Sequence, residues 1–297
     1  MNNIIENRKK VYQKFPEANL SASLSGMVLL YDINQADYSE LIEATKNFLL
    51  KSMSLVYGKE FVWTPDFLEK NDQLINNLPN KTPNGVVNPK RETVADFEKI
   101  QIAANKILVN LGVSGHLKKL ALPNLRYKSV LEPDSAKSRP YYTSKYHSDA
   151  WVGHVGDSIL LIGVLGDIAG NTVEFNEPIN VHDNYLHKAS SFDEGNTRYE
   201  KFELLGTLSA GKLGVMDHAC LHRTFVKAGS KPRISLDMAV MIDSEYSHSN
   251  DLGFDPNAYS YYEPKAIFGL GKTTKLSVKE SIKDSAHSTT LSIEPIC

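Results

Sequence analysis

Two regimes of apolar spacing divide the chain. Over residues 36–58, ADYSELIEATKNFLLKSMSLVYG, Leu41, Ala44, Phe48 and Leu49 recur at helical spacing and a glycine follows as a stop signal. Residues 93–112 repeat the plan, with Thr93 as a predicted N-cap and Phe97, Ile100, Ala104, Ile107 and Leu108 as one stripe. The Pro- and Asn-rich section between them, 65–89, reads as loop, and the run GMVLLYDI reads as a strand joining a sheet formed later. From about residue 121 the stripes give way to short β-rich runs separated by Gly, Pro, Asn and Asp: SILLIGVLG, NTVEFNEP, LGVMDHA, LHRTFVKAG and PRISLDMAVMI. That pattern predicts an α+β, mainly β chain, with an antiparallel sandwich or jelly-roll barrel braced by the helices in front. We expect one domain without a linker. Residues 1–120 are its mostly helical support, 121–245 its β core and 246–297 an irregular extension.

Composition narrows the function. The 297 residues are 41% hydrophobic and 23% charged, with a formal charge of -2, as in an ordinary globular protein with no excess of positive charge for nucleic acid. The basic run NRKKVYQK is expected to be a solvated helix end. No apolar run approaches the roughly 20 residues of a membrane span, and the first residues lack signal-peptide order, so a cytoplasmic location is expected. With two cysteines, Cys220 and Cys297, neither a disulfide framework nor a thiolate cluster can form. Any metal must be held by nitrogen and oxygen.

The candidate chemistry lies in YHSDAWVGHVG. If SKYHSDAW is a strand, His147 and Asp149 project to one face, close enough for an imidazole and a carboxylate to share a cation. A third ligand is offered by MDHACLHRTFVKAGSKPRISLDMAV, through His218 or His222. Read as a hairpin, LHRTFV and RISLDMAV are paired strands, with Arg233 and Ser235 on the face His222 looks onto. A guanidinium in a barrel interior needs a partner, and a bound dicarboxylate would serve.

The order His147-x-Asp149, then His222 73 residues later, then Arg233 and Ser235 resembles the iron(II)/2-oxoglutarate-dependent dioxygenases. Their double-stranded β-helix (jelly roll) core carries an HxD…H triad and an RxS-like clamp. The resemblance covers about residues 141–242. It implies Fe(II) on His147, Asp149 and His222, with 2-oxoglutarate and dioxygen as cosubstrates and Arg233 and Ser235 on the distal carboxylate. GDIAGNTVEFNEP is similar to the GGDT-like segment of the taurine-dioxygenase and clavaminate-synthase branch, and by that similarity Thr172 would bond 2-oxoglutarate. A phytanoyl-CoA-dioxygenase-like branch is the alternative resemblance. The implied reaction is oxidative decarboxylation to succinate and CO2 coupled to hydroxylation, with Asp149 speaking against halogenation. The alternating polar strand Thr172, Glu174, Asn176 favours a small polar substrate: a sugar, an amino-acid derivative or a natural-product intermediate. The spacing to Arg233 favours His222 over His218 as ligand, leaving His218 as a pocket-edge or buried hydrogen-bonded residue. His154, His182 and His187 are expected in loops or at the surface. Arg198 is expected in surface salt bridges, and Arg223 in such bridges or facing an anionic substrate. Most of Tyr141, Tyr142, Tyr146 and Trp151 are expected in the core. Competing readings are a cupin-like metal-binding sugar isomerase or binding protein, which has no need of Arg233 and Ser235, and a metal-free lectin-like jelly roll. A homodimer is admissible, though no interface is visible.

Overall fold

The computed structural model describes residues 4–131, 137–153, 156–247, 260–282, 284 and 289–296. In chain order its elements are α1 (Ile4–Lys9), β1 (Leu20–Leu24), β2 (Val28–Asp32), α2 (Gln35–Tyr57), α3 (Phe67–Lys70), α4 (Asp72–Asn76), α5 (Val94–Asn110), β3 (Leu117–Ala121), β4 (Asn124–Lys128), β5 (Ser158–Gly166), β6 (Asn171–Val181), α6 (Phe192–Gly195), β7 (Tyr199–Thr207), β8 (Lys212–Asp217), β9 (Leu221–Val226), β10 (Arg233–Ile242), β11 (Tyr261–Tyr262), α7 (Pro264–Phe268), β12 (Thr274–Val278) and β13 (Leu291–Pro295). The chain is mostly β with helices in front. Among the described residues no helix is long and apolar enough to cross a membrane.

An eight-stranded sheet runs β1-β2-β8-β5-β10-β3-β11, with β4 also paired to β10. A three-stranded sheet, β7-β6-β9, forms the second layer, and β12 pairs with β13. Alternation along β10 explains how both layers are held. Ile234, Leu236, Met238, Val240 and Ile242 join one apolar cluster with Leu41, Phe48 and Leu49 of α2 and Phe97, Ile100 and Ile107 of α5. Ala239 instead joins a second cluster, with Ile159 and Leu161 of β5 and Val173 and Phe175 of β6. The large sheet is therefore covered by helices on one face and by the small sheet on the other, and all ten residues of β10 are buried.

The long helices follow their predicted spans. Asn34 caps α2 by accepting from the Asp37 N–H at 2.9 Å, and left-handed Gly58 ends it with an N–H bond to Ser54 O. Thr93 holds the N-cap position of α5 as expected, but its hydroxyl makes no capping bond; it accepts from Lys90 N–H at 2.9 Å and donates to Lys90 O, serving the preceding turn. The early strand does join a later one, since β2 pairs with β8.

Several expectations change. The section 65–89 is not all loop, since it holds the short helices α3 and α4. The basic N-terminal run is not all solvated: Arg8 is 2% exposed and lies on Asp217 at 2.9 Å and Asp157 at 3.5 Å. The stretch containing HxD is not a strand; His147 makes one bridge to His222, and Asp149 opens a 3₁₀ turn, Asp149–Val152. β9 and β10 do not form a hairpin, because β9 pairs with β6 and β10 with β5, β4 and β3. The segment between them crosses from one sheet to the other. Finally, the C-terminal part is not wholly irregular, since β11 extends the large sheet through β3 and α7, β12 and β13 follow. His154 lies outside the described residues.

Candidate metal centre

His222 is set by β-sheet register. On β9 it stands opposite Phe175 of β6, and on its other side it exchanges both backbone bonds with His147, each N to O distance being 2.9 Å. This pairing brings the two rings to 4.1 Å between centroids. Asp149 arrives by the turn that follows. Ser148 caps that turn by accepting from Ala150 N–H at 3.3 Å and donates to His218 O at 2.7 Å. Gly153, with φ 76°, ends it. Trp151, fully buried, pins the turn through its indole N–H to Tyr185 O at 2.7 Å.

The result is a group of three, His147, Asp149 and His222, whose candidate ligand atoms lie within 4.8 Å of one another. Asp149 Oδ2 is 3.7 Å from His222 Nε2. Each histidine has its Nδ1 on a backbone carbonyl, His147 on Lys145 O at 2.8 Å and His222 on Cys220 O at 3.2 Å. A carbonyl only accepts, so each Nδ1 carries a proton and each Nε2 is the ring nitrogen left to meet a metal. Phe192 stacks on His147 at 4.1 Å. Burial and the neighbouring His222 push the His147 imidazole down to about 3, so it stays neutral. Two imidazoles and a carboxylate on one side of a cavity suit a divalent first-row cation with open positions.

That cavity, of about 160 Å³, lies between the sheets and is also lined by Arg126, Lys128, Tyr141, Thr143, Val173, Thr224, Arg233, Ser235 and Asp237. Arg233 and Ser235 line the same cavity as His147, Asp149 and His222, from a different sheet than His222. Arg233 is 3% exposed. Its Nε donates to Asn171 Oδ1 at 3.1 Å, and its buried Nη1 has no protein acceptor. Burial, with Arg126 adding repulsion and Asp237 opposing it, pushes the Arg233 guanidinium down to about 10. A buried donor left unbonded costs about 1–3 kcal/mol, a cost that an anion in the cavity would remove.

Thr172 is not brought to this cavity. Its hydroxyl donates to Leu208 O at 2.8 Å, and it is the neighbouring Val173 that lines the space. The polar face of β6 is therefore not the pocket face. Arg223 is occupied by Glu174 at 2.6 Å and by the rings of Tyr146 and Phe225. Arg198 is buried, not at the surface, and its guanidinium holds Glu194 and the carbonyls of Asn184, His187 and Lys188. His218 is buried with Nδ1 on Asp157 O at 3.1 Å, and His182 and His187 are exposed. Of the four aromatics, Tyr141 lines the cavity. Sequence reasoning missed Arg126 and Asp237. Asp237 continues the alternation of Arg233 and Ser235 along β10 and was legible there; Arg126, on β4, carries no such signal.

No family model matches the chain, and no curated protein matches it. Among solved structures it is similar to SnoK, a non-heme α-ketoglutarate-dependent carbocyclase from nogalamycin biosynthesis, at 8% identity over 80% of this chain and 83% of that one, with a TM-score of 0.39. AviO1 from Streptomyces viridochromogenes Tue57 gives 11% identity over 80% and 95%, with a TM-score of 0.39. An N-substituted L-amino acid dioxygenase from Burkholderia ambifaria AMMD gives 11% over 74% and 84%, with a TM-score of 0.34. At these values the likeness assigns no activity to this chain.

Proposed function

We propose that the protein is an Fe(II)- and 2-oxoglutarate-dependent oxygenase whose two facing sheets form a double-stranded β-helix. The observation that carries this reading is the opposition, across one cavity, of the His147, Asp149, His222 group and the buried Arg233 with its unbonded Nη1. The first suits a metal with free coordination positions, and the second suits the far carboxylate of a dicarboxylate chelating that metal. A cupin-like isomerase or a metal-free lectin accounts for no more than the first half.

When bound, iron, 2-oxoglutarate and dioxygen together supply the oxidising power. That power would serve oxidative decarboxylation of 2-oxoglutarate to succinate and CO2, coupled to hydroxylation of the substrate. The chain's own residues have other tasks. His147, Asp149 and His222 hold the metal. Arg233 and Ser235 orient the cosubstrate, while Val173, Ile159, Leu161 and Met216 wall the cavity against water. Hydroxylation is the proposed outcome. The polar strand of β6 no longer argues for a polar substrate, but Lys128, Thr143 and Thr224 on the cavity wall do, and a volume of about 160 Å³ favours a small reacting group. Sugars, amino-acid derivatives and natural-product intermediates fit that description.

The test is anaerobic titration of the protein with Fe(II) and 2-oxoglutarate, followed by visible absorption. A weak metal-to-ligand charge-transfer band is expected, and it should be lost in His222→Ala and weakened in Arg233→Ala. A protein that binds the metal yet gives no band with 2-oxoglutarate would instead fit the cupin-like reading.

A further inference from the structure

β7 is an edge strand of the small sheet. It pairs with β6 alone, in the order β7-β6-β9, and its run Glu200, Lys201, Phe202, Glu203, Leu204 is exposed on both faces. Phe202 is 37% and Leu204 60% exposed. An open edge carries a row of unused backbone N–H and C=O groups, which is a template for another strand. Which groups of β7 are unused follows from its neighbour. Phe202 stands across from Pro178 of β6, and proline has no N–H, so these two cannot exchange a pair of backbone bonds. The bonds to β6 therefore fall to Lys201 and Glu203, across from Ile179 and Glu177, and Phe202 turns its own N–H and C=O to the free side.

The side chains decide what can meet that edge. Lys201 and Glu203, two residues apart, project from one face of the strand. Among the described residues neither has an ion-pair partner in its own chain. Glu203 lies across from another carboxylate, Glu177, and it is Glu177 that Lys9 takes at 2.7 Å. Two copies of one strand that pair antiparallel about a two-fold axis must centre on a residue facing its own copy. Charges usually guard an edge against such pairing, and in most registers these do. Centring on Glu200, Lys201 or Glu203 sets a charge against itself, and centring on Leu204 pairs no charges. Centring on Phe202 sets Lys201 of each copy opposite Glu203 of the other, with Phe202 against Phe202. In that register the two Phe202 residues exchange both backbone bonds, so each lysine and glutamate occupy the closer, non-bonded positions of the ladder.

We propose that β7 is a dimerisation edge whose occupant is β7 of a second copy of this chain, centred on Phe202, so that the two small sheets join into one. His222 lies on β9, at the opposite edge of the small sheet, and the pairing leaves each metal centre within its own chain.

Sedimentation velocity over a concentration series tests this. The parent should pass from monomer to dimer as concentration rises. Lys201→Glu and Glu203→Lys each turn both attractive pairs into repulsive ones, so each alone should weaken the dimer by about ten-fold or more. Both side chains are exposed, and the variants should fold as the parent does by circular dichroism. Mixing the two variants should restore the dimer to parental strength, because each mixed pair again holds two opposite charges on either side of Phe202. Both substitutions in one chain should restore it as well. A parent that stays monomeric up to its solubility limit overturns the proposal. So does a dimer that both single variants keep at parental strength, since its interface then lies on another surface. A mixture that gains nothing over the single variants overturns it too, because the strands then do not meet in this register.

Discussion

His147 illustrates how one residue can serve a site at a cost to the fold. In the folded chain its imidazole is neutral, because burial and the facing His222 hold it down to about 3. In the unfolded chain it titrates near 6.5. Between those values the unfolded state binds the extra proton, so stability is full above about pH 6.5 and falls as pH drops towards 3. The loss from this group is at most about 1.4 kcal/mol per pH unit. Urea unfolding of the metal-free protein at stepped pH should show that slope, and His147→Gln, which has no proton to gain, should flatten it. The same neutrality keeps a lone pair ready at Nε2 near neutral pH, so protons on His147 should not compete with a metal there. A pH dependence of metal binding near 6.5 that disappears in His147→Gln would contradict this account.

Among the elements, the 3₁₀ turn Asp149–Val152 is packed tightly against the end of α6. Gly195, at the end of α6, lies so close that an added Cβ would fall 2.1 Å from Cε3 of Trp151, and Trp151 is fully buried. Gly195→Ala must push the indole, and with it the turn that presents Asp149. We expect a loss of about 1–3 kcal/mol of stability together with weaker Mn(II) binding, measured on the same preparation; destabilisation with unchanged metal affinity would show that the turn gives way elsewhere. This turn also marks where the sequence was legible and where it was not. Apolar spacing identified α2, α5 and the strands β5, β6 and β8–β10, because burial of one face leaves a period in the residues themselves. It did not identify the turn: an HxD pair has the same period-two look whether the backbone is extended or closes after the first residue. Nor did it identify the partner of β9. The six residues KAGSKP permit a hairpin as readily as a crossover between sheets, and only the burial of both faces of β10 decides the matter. His222 still meets Arg233 across the cavity because the two sheets face each other. The expected hairpin is thus replaced by a crossover that still leaves these residues lining one cavity. Thr172 failed for a related reason: alternation gives two faces to β6 without saying which one the neighbouring sheet will cover.

At the scale of the whole molecule, the N-terminal helix and the metal centre belong to one hydrogen-bonded construction. Arg8 of α1 crosses to the end of β8, where Asp217 takes it at 2.9 Å with both residues almost fully buried, and Asp157 receives it at the start of β5. Tyr12 adds its hydroxyl to Asp217 at 2.8 Å. From Asp217 the turn to β9 begins, its Oδ1 accepting Ala219 N–H at 2.8 Å. That turn supplies the carbonyls on which Ser148, Tyr185 and the His222 imidazole are oriented. Removing the guanidinium alone would leave two buried carboxylates without their cation, which costs about 3–5 kcal/mol. By contrast, the half-exposed Lys106 pairs with half-exposed Glu40 at 2.7 Å and with Asp37 at 3.1 Å, a carboxylate that Asn34 and Asn110 still hold when the lysine is gone, so the lysine contributes little. Arg8→Met should accordingly lower the urea midpoint far more than Lys106→Met. Adding Asp217→Asn to Arg8→Met should recover part of the loss, because one of the stranded charges goes with it. Metal affinity provides the second reading, since a relaxed turn no longer fixes the Cys220 carbonyl. Arg8→Met should bind Mn(II) more weakly even at temperatures where it remains fully folded by circular dichroism, whereas Lys106→Met should bind it as the parent does. If the folded Arg8→Met protein bound Mn(II) with parental affinity, the latch would stabilise the sheet end without contributing to the centre.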